Sequence, residues 1–219
     1  MDPMIPLRVE AYIPSGVTLP PGGGLALDGL LAWSVASELG LVAGFGPPIH
    51  VDIPVAWEPK QRFHLATYAI HAGVDATESR YTNKRPVLAE AQLFGDDKFK
   101  RMHIGAGLNK GYRIPGEIAY VADDLLTWFC VGELEEIKRL LSNVTHLGKR
   151  RGSGRGSVHE WRLVECEPWS PEFPLMREGK PLRALPLDWP GLVEPDVREA
   201  VLTYPYWEHR RAVPCAVPS

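Results

Sequence analysis

Cysteine is scarce in this sequence: Cys130, Cys166 and Cys215 are the only three among 219 residues, far apart and in no CxxC pair. An odd, scattered set excludes a disulfide framework and a zinc cluster, and points to reduced thiols in a cytosol. Long apolar runs are missing too. No stretch of about 18 apolar residues occurs, and Met1 to Glu10 lacks the charged-then-apolar order of a signal peptide, so neither a membrane span nor export is expected. Nucleotide fingerprints are also lacking, since neither GxxxxGK[ST] nor GxGxxG is found, which argues against an ATP or NAD site. Nor is there a basic excess. The formal charge of -3 and pI near 6.2 do not describe a nucleic-acid binder as a whole, so any basic surface must be local.

The chain has 45% hydrophobic residues, enough for one core with an embellishment. Leu7 to Ile13 alternates like a strand. Pro20, Pro21 and Gly22 to Gly24 break it. Leu27, Leu30, Leu31, Val35 and Leu39 then recur at three- and four-residue spacings, which predicts a first helix stopped by Gly40. His50 to Trp57 and Arg62 to His71 read as two strands. Glu117 to Val131 is a strand or bent strand pair closed by Gly132. Leu134, Ile137, Leu140, Leu141 and Val144 form the apolar stripe of a second helix, and Val158 to Val164 alternates as a last strand.

This order predicts an α+β fold, a ferredoxin-like (RRM-like) βαββαβ core. It spans 1–165, with an insertion at about 76–115. The remainder, 166–219, is rich in proline and carries Trp169, Trp189 and Trp207, and is expected to wrap the core as an irregular tail.

The most informative stretch runs from His146 to Ser157, between the second helix and the last strand. Gly148, Gly152, Gly154 and Gly156 let the backbone approach an anion closely. Lys149, Arg150, Arg151 and Arg155 add charge and bidentate donors. Phosphate suits such a loop, and binding to RNA would weaken with salt through counterion uptake. A solvated, merely basic loop is the competing reading.

A helix followed by Gly148-Lys149-Arg150-Arg151, then Gly152-x-Gly154-x-Gly156, then a strand, resembles the glycine-rich loop of the CRISPR RAMP superfamily. Leu27-Asp28-Gly29-Leu30-Leu31-Ala32 resembles a pattern common at the first helix of that superfamily. Within it, the chain looks most like the subunit of type IV effector complexes that caps the five-prime repeat-derived handle of the crRNA. The tail after Glu165 carries no motif of that group.

The resemblance makes the insertion, with Arg80, Lys84, Arg85, Lys98, Lys100, Arg101, Lys110 and Arg113, a thumb-like element laid across RNA. Tyr81, Phe99 and Tyr112 are its candidates for base stacking, Phe99 foremost. A loop whose aromatics fold back on the core is the alternative. The histidines, among them His64, His71, His103, His146 and His159, raise the question of metal-independent RNA cleavage, for which His103, Lys110 and Tyr112 would be the acid and base candidates. A phosphate contact is the commoner use of a histidine in a basic loop. Asp28 reads as a helix cap or dipole partner. The adjacent pairs Asp96-Asp97 and Asp123-Asp124 do not make a metal site, so no metal or cofactor is expected.

The expectation is a non-catalytic, RNA-binding subunit of a prokaryotic, cytoplasmic ribonucleoprotein. The resemblance implies as partners crRNA, a multi-copy backbone subunit, a large subunit, target DNA through the complex, and a helicase. Two alternatives stand beside it. One is an endoribonuclease of the same superfamily that processes CRISPR repeat RNA. The other is a ferredoxin-like interaction module unrelated to CRISPR.

Overall fold

The computed structural model describes residues 3–19, 24–41, 50–84, 112–148, 154–206 and 208–218. Two compact units divide the chain, one of residues 1–76 and 119–219, the other Thr77–Ile118. The fold is α+β, mostly strands.

The larger unit is built on β1 (Ile5–Tyr12), flanked on one side by β6 (Leu125–Gly132) and on the other by β7 (Glu160–Glu165), both antiparallel to it. Val9 faces Trp128 across one ladder and Leu163 across the other. Alternation explains the layering. Leu7, Val9 and Ala11 of β1 and Leu126, Trp128 and Cys130 of β6 are buried together on one face.

That face is covered by α1 (Leu27–Glu38) and α2 (Leu134–Leu141), which contribute Leu27, Leu31, Ile137, Leu140 and Leu141. Gly40 ends α1 as expected. It takes φ +68, its N–H bonds the Ser37 carbonyl and the Leu41 N–H bonds that of Ala36, the Schellman arrangement that satisfies the last carbonyls of a helix. Between the helices, Ser34 Oγ donates to the Leu140 carbonyl at 2.8 Å and Arg139 forks across to Glu38 at 2.6 and 3.1 Å.

The two strands expected between His50 and His71 form only in part. Their ladder is confined to β2 (Trp57–Glu58) and β3 (Phe63–His64), with single bridges from Val55, Ala66 and Ile70 onto β6. Thr67 shows why. Its carbonyl turns away to accept the Leu27 N–H at the start of α1, and its hydroxyl takes the Phe129 N–H in place of a carbonyl. The strand is diverted to cap a helix, whose first N–H groups lack partners of their own.

The bent pair predicted over Glu117–Val131 is β5 (Tyr112–Val121) and β6, separated by a turn at Ala122–Asp124 in which Asp123 and Asp124 have φ +58 and +54. β4 (Val74–Lys84) pairs with β5, and the greater part of both strands belongs to the smaller unit.

The tail is more regular than expected. After β8 (Met176–Arg177) and β9 (Lys180–Pro181), the strands β10 (Leu185–Pro186), β11 (Asp196–Ala200) and β12 (Val213–Val217) form a sheet in the order β10-β12-β11. Trp169 and Phe173 also pack on Phe129, at 4.8 and 6.2 Å between ring centroids, on the sheet face opposite the helices. Among the described residues, no helix is long and apolar enough to cross a membrane.

Candidate nucleic-acid interface

The described ends of the glycine-rich loop are fastened to the turn after β1. Gly156 donates its N–H to the Gly16 carbonyl and Leu147 donates to the Gly156 carbonyl, each at 2.8 Å. Ser157 N–H bonds Ser15 Oγ at 3.0 Å, and His146 bridges Ser157. The glycines are sterically required. Gly148 and Gly156 take φ +75 and +70, and a Cβ would lie 2.5 Å from the Thr18 oxygen at the first and 2.0 Å from the Leu147 oxygen at the second. Only glycine adopts this backbone without strain and with such close approach. Gly154, at φ +73, has nothing within 4 Å of a Cβ.

Two of the residues proposed to hold phosphate therefore already have structural partners. The Gly156 N–H is spent on Gly16, and Arg155 Nη1 donates to the Ser15 carbonyl at 3.1 Å and the Tyr120 hydroxyl at 3.2 Å. Beside Gly148, the buried Thr18 hydroxyl finds no hydrogen-bond partner among the described residues.

Lys149, Arg150, Arg151 and Gly152 lie outside the described residues, as do Arg85, Lys98, Phe99, Lys100, Arg101, His103 and Lys110. Arg80 and Lys84 fall on β4, and Tyr112 and Arg113 on β5. The other histidines are used locally. His71 Nδ1 donates to the Gly73 carbonyl at 3.0 Å, His146 bonds Thr145, and His159 sits edge-on to Tyr12. Among the described residues, no group of three or more His, Cys, Asp or Glu side chains is placed to hold a metal.

Sequence reasoning missed the polar cluster that binds the tail to the core. Asp28 is in the first turn of α1 and not at its cap, which is Ala26. Its carboxylate accepts the Gly29 N–H at 2.9 Å and the Tyr206 hydroxyl at 2.7 and 2.8 Å. Gly29 leaves room for that ring, since a Cβ would stand 3.2 Å from Tyr206 Cε2.

Arg183, fully buried, approaches Asp28 at 3.6 Å and donates to Tyr206 Oη at 3.1 Å and to the carbonyls of His64, Ala66 and Leu202. Burial pulls its pKa down, but Tyr206 and Asp28 outweigh that, so the net shift is upward and the guanidinium stays charged. Burial raises the Tyr206 phenol well above its ordinary value. The only local signal was an arginine set among apolar residues, Leu182 and Ala184 to Leu185.

Above this cluster, Arg183 also lies 4.8 Å over the Phe63 ring. His64 donates Nδ1–H to the Val55 carbonyl at 3.1 Å and stacks on Tyr204, with centroids 5.8 Å apart and planes at 13°. Its other side meets Trp57 edge-on at 4.8 Å. Burial holds the His64 imidazole below its usual pKa.

Residues 66–218, more than half of the chain, match the family described as CRISPR type IV associated protein Csf3. The match covers the glycine-rich loop and the tail and leaves out the Asp28 motif. No curated protein matches the chain.

Proposed function

Because the chain belongs to the family of CRISPR type IV associated protein Csf3, we propose that it is the RNA-binding subunit that caps the five-prime repeat-derived handle of the crRNA. Membership places it in type IV CRISPR systems. The capping role rests on the mount of the glycine-rich loop. Gly148 and Gly156 fix both ends against Ser15 to Thr18, and between them the sequence sets Lys149, Arg150 and Arg151. A basic segment anchored at both ends loses less conformational entropy on gripping phosphate than a free one.

The same proposal reads the larger unit as a ferredoxin-like, RAMP-type core. β1 lies between β6 and β7, the 66–70 segment bridges the far side of β6, and helices follow β1 and β6. A split βαβ core would have its strands and helices in such an order, which is what supports this part of the proposal. The ribbon of β4 and β5 is then the thumb laid across guide nucleotides next to the handle, and its sequence carries Arg80, Lys84, Tyr112 and Arg113. Backbone and large subunits, a helicase and target DNA join through the assembled complex. In this role the protein holds the RNA backbone, and base pairing by the guide reads the target.

The test is the affinity of the full-length protein for a labelled repeat-derived RNA across a salt series, beside K149A/R150A/R151A. The variant is expected to weaken binding and to lower the salt slope by about two, at roughly 0.7 per phosphate contact on a single strand, while the RNA stays intact. Salt-insensitive binding would sink the capping role. Cleavage without metal would favour the nuclease, with His103, Lys110 and Tyr112 as its first candidates.

A further inference from the structure

The β2–β3 hairpin reaches out from the polar cluster at the far end of β1 from the glycine-rich loop. At its root, Val55 bridges Gly132, which pairs with Ile5 at the start of β1, while Gly16, which holds Gly156, follows the end of β1. With 8 residues in β1, at about 3.3 Å each, the two features stand roughly 25 Å apart.

Trp57 on this hairpin is 45% exposed. A single exposed aromatic means little by itself, but this one is held rigidly. His64 braces it from beneath, Tyr204 braces His64, and Arg183 binds the His64 carbonyl at 2.5 Å. Around the tip, Lys60 and Arg62 are exposed, and among the described residues neither forms an ion pair. Glu58, the one acid in the hairpin, is tied to the turn by the Lys60 N–H at 3.0 Å. Arg62 has φ +61, a conformation in which glycine or asparagine costs less, so its side chain is present despite the backbone it requires.

We propose that the β2–β3 hairpin is a second RNA contact, where a nucleobase stacks on Trp57 and Lys60 and Arg62 meet the neighbouring phosphates. It rests on the reading of the chain as an RNA-binding subunit. Aromatic stacking flanked by cations is how single strands are held without sequence readout. RNA is favoured over a protein partner because the hairpin carries no second exposed large apolar side chain, whereas protein interfaces gather several around an anchor. A strand engaging this hairpin and the glycine-rich loop would run along the length of the sheet.

The experiment uses full-length protein and single-stranded repeat-derived RNAs with 2-aminopurine placed at successive positions. W57A, W57F and K60A/R62A are compared with wild type after matching melting temperatures. One position is expected to quench on binding in wild type and W57F but not in W57A. W57A should bind about fivefold to a hundredfold more weakly, and K60A/R62A should lose about 1.4 from the salt slope.

If wild type binds no RNA, the capping role fails and this contact with it. If wild type binds while W57A and K60A/R62A match it and every quench persists, the hairpin contact alone is refuted. A W57A protein that keeps its RNA affinity but loses association with a sibling subunit overturns the contact in favour of protein docking.

Discussion

Arg183 Nη2 lies 3.6 Å from Asp28 Oδ2, with the two side chains 0% and 1% exposed. This pair joins the C-terminal tail to the first turn of α1. Taking one partner away leaves the other charge buried and uncompensated, which typically costs about 3–5 kcal/mol. R183M and D28N should each lower unfolding free energy by about that amount in urea titrations. The double variant R183M/D28L should recover part of the loss, because no lone charge remains. A cost below about 1 kcal/mol for R183M would mean that the tail is held by its apolar contacts instead.

Among the described residues of the basic loop, the positive-φ glycines Gly148, Gly154 and Gly156 are not equivalent. G156A drives a Cβ to 2.0 Å from the Leu147 oxygen, and G148A to 2.5 Å from that of Thr18, whereas G154A meets nothing within 4 Å. G154A should therefore cost only the left-handed backbone penalty, about 1 kcal/mol. G156A and G148A should cost clearly more, and should weaken RNA binding along with melting temperature. Equal effects at all three positions would contradict a loop mounted at its ends.

Arg155 separates mounting from phosphate contact. Its Nη1 holds the Ser15 carbonyl and the Tyr120 hydroxyl, so R155A should lower the melting temperature and leave the salt slope of RNA binding near wild type. K149A/R150A/R151A should do the reverse. An R155A protein with unchanged stability and a reduced slope would move Arg155 to the RNA side.

Both helices were legible because apolar residues spaced three and four apart are a local pattern, with Gly40 stopping α1, and β1, β6 and β7 because each alternates over much of its length; the end of α2 at Leu141 was not, since the first glycine after it is Gly148, well beyond the helix. The strand through Thr67 was not, since its ladder is broken by a helix that needs its carbonyl, a tertiary demand with no local trace. The tail sheet was hidden for another reason. Its strands of two to five residues are too short to show a period, and Pro186 and Pro214 sit inside them. The cluster of Asp28, Arg183 and Tyr206 joins distant positions, and Asp28 alone looks like an ordinary acid in a first helical turn. For Lys149 to Gly152 the sequence speaks by itself.

His64 gives stability a pH dependence whose sign follows from its burial. The unfolded chain takes up a proton near pH 6.5, but burial against Tyr204 and Trp57 lowers the folded pKa, with Arg183 adding to the shift and Asp28, the bond to the Val55 carbonyl and Asp52 opposing it. Below pH 6.5 the unfolded state therefore binds more protons than the native one. Stability is full above that value and falls as pH drops toward the folded pKa, by at most about 1.4 kcal/mol per unit. H64N can keep a donor toward Val55 without a titrating ring. Its unfolding free energy, followed by urea titration from pH 8 to 5, should decline less steeply below pH 6.5 than that of wild type, the remaining groups contributing alike to both. Parallel curves would mean that His64 is protonated as easily in the folded protein as in the unfolded chain, and that the stack on Tyr204 admits the imidazolium.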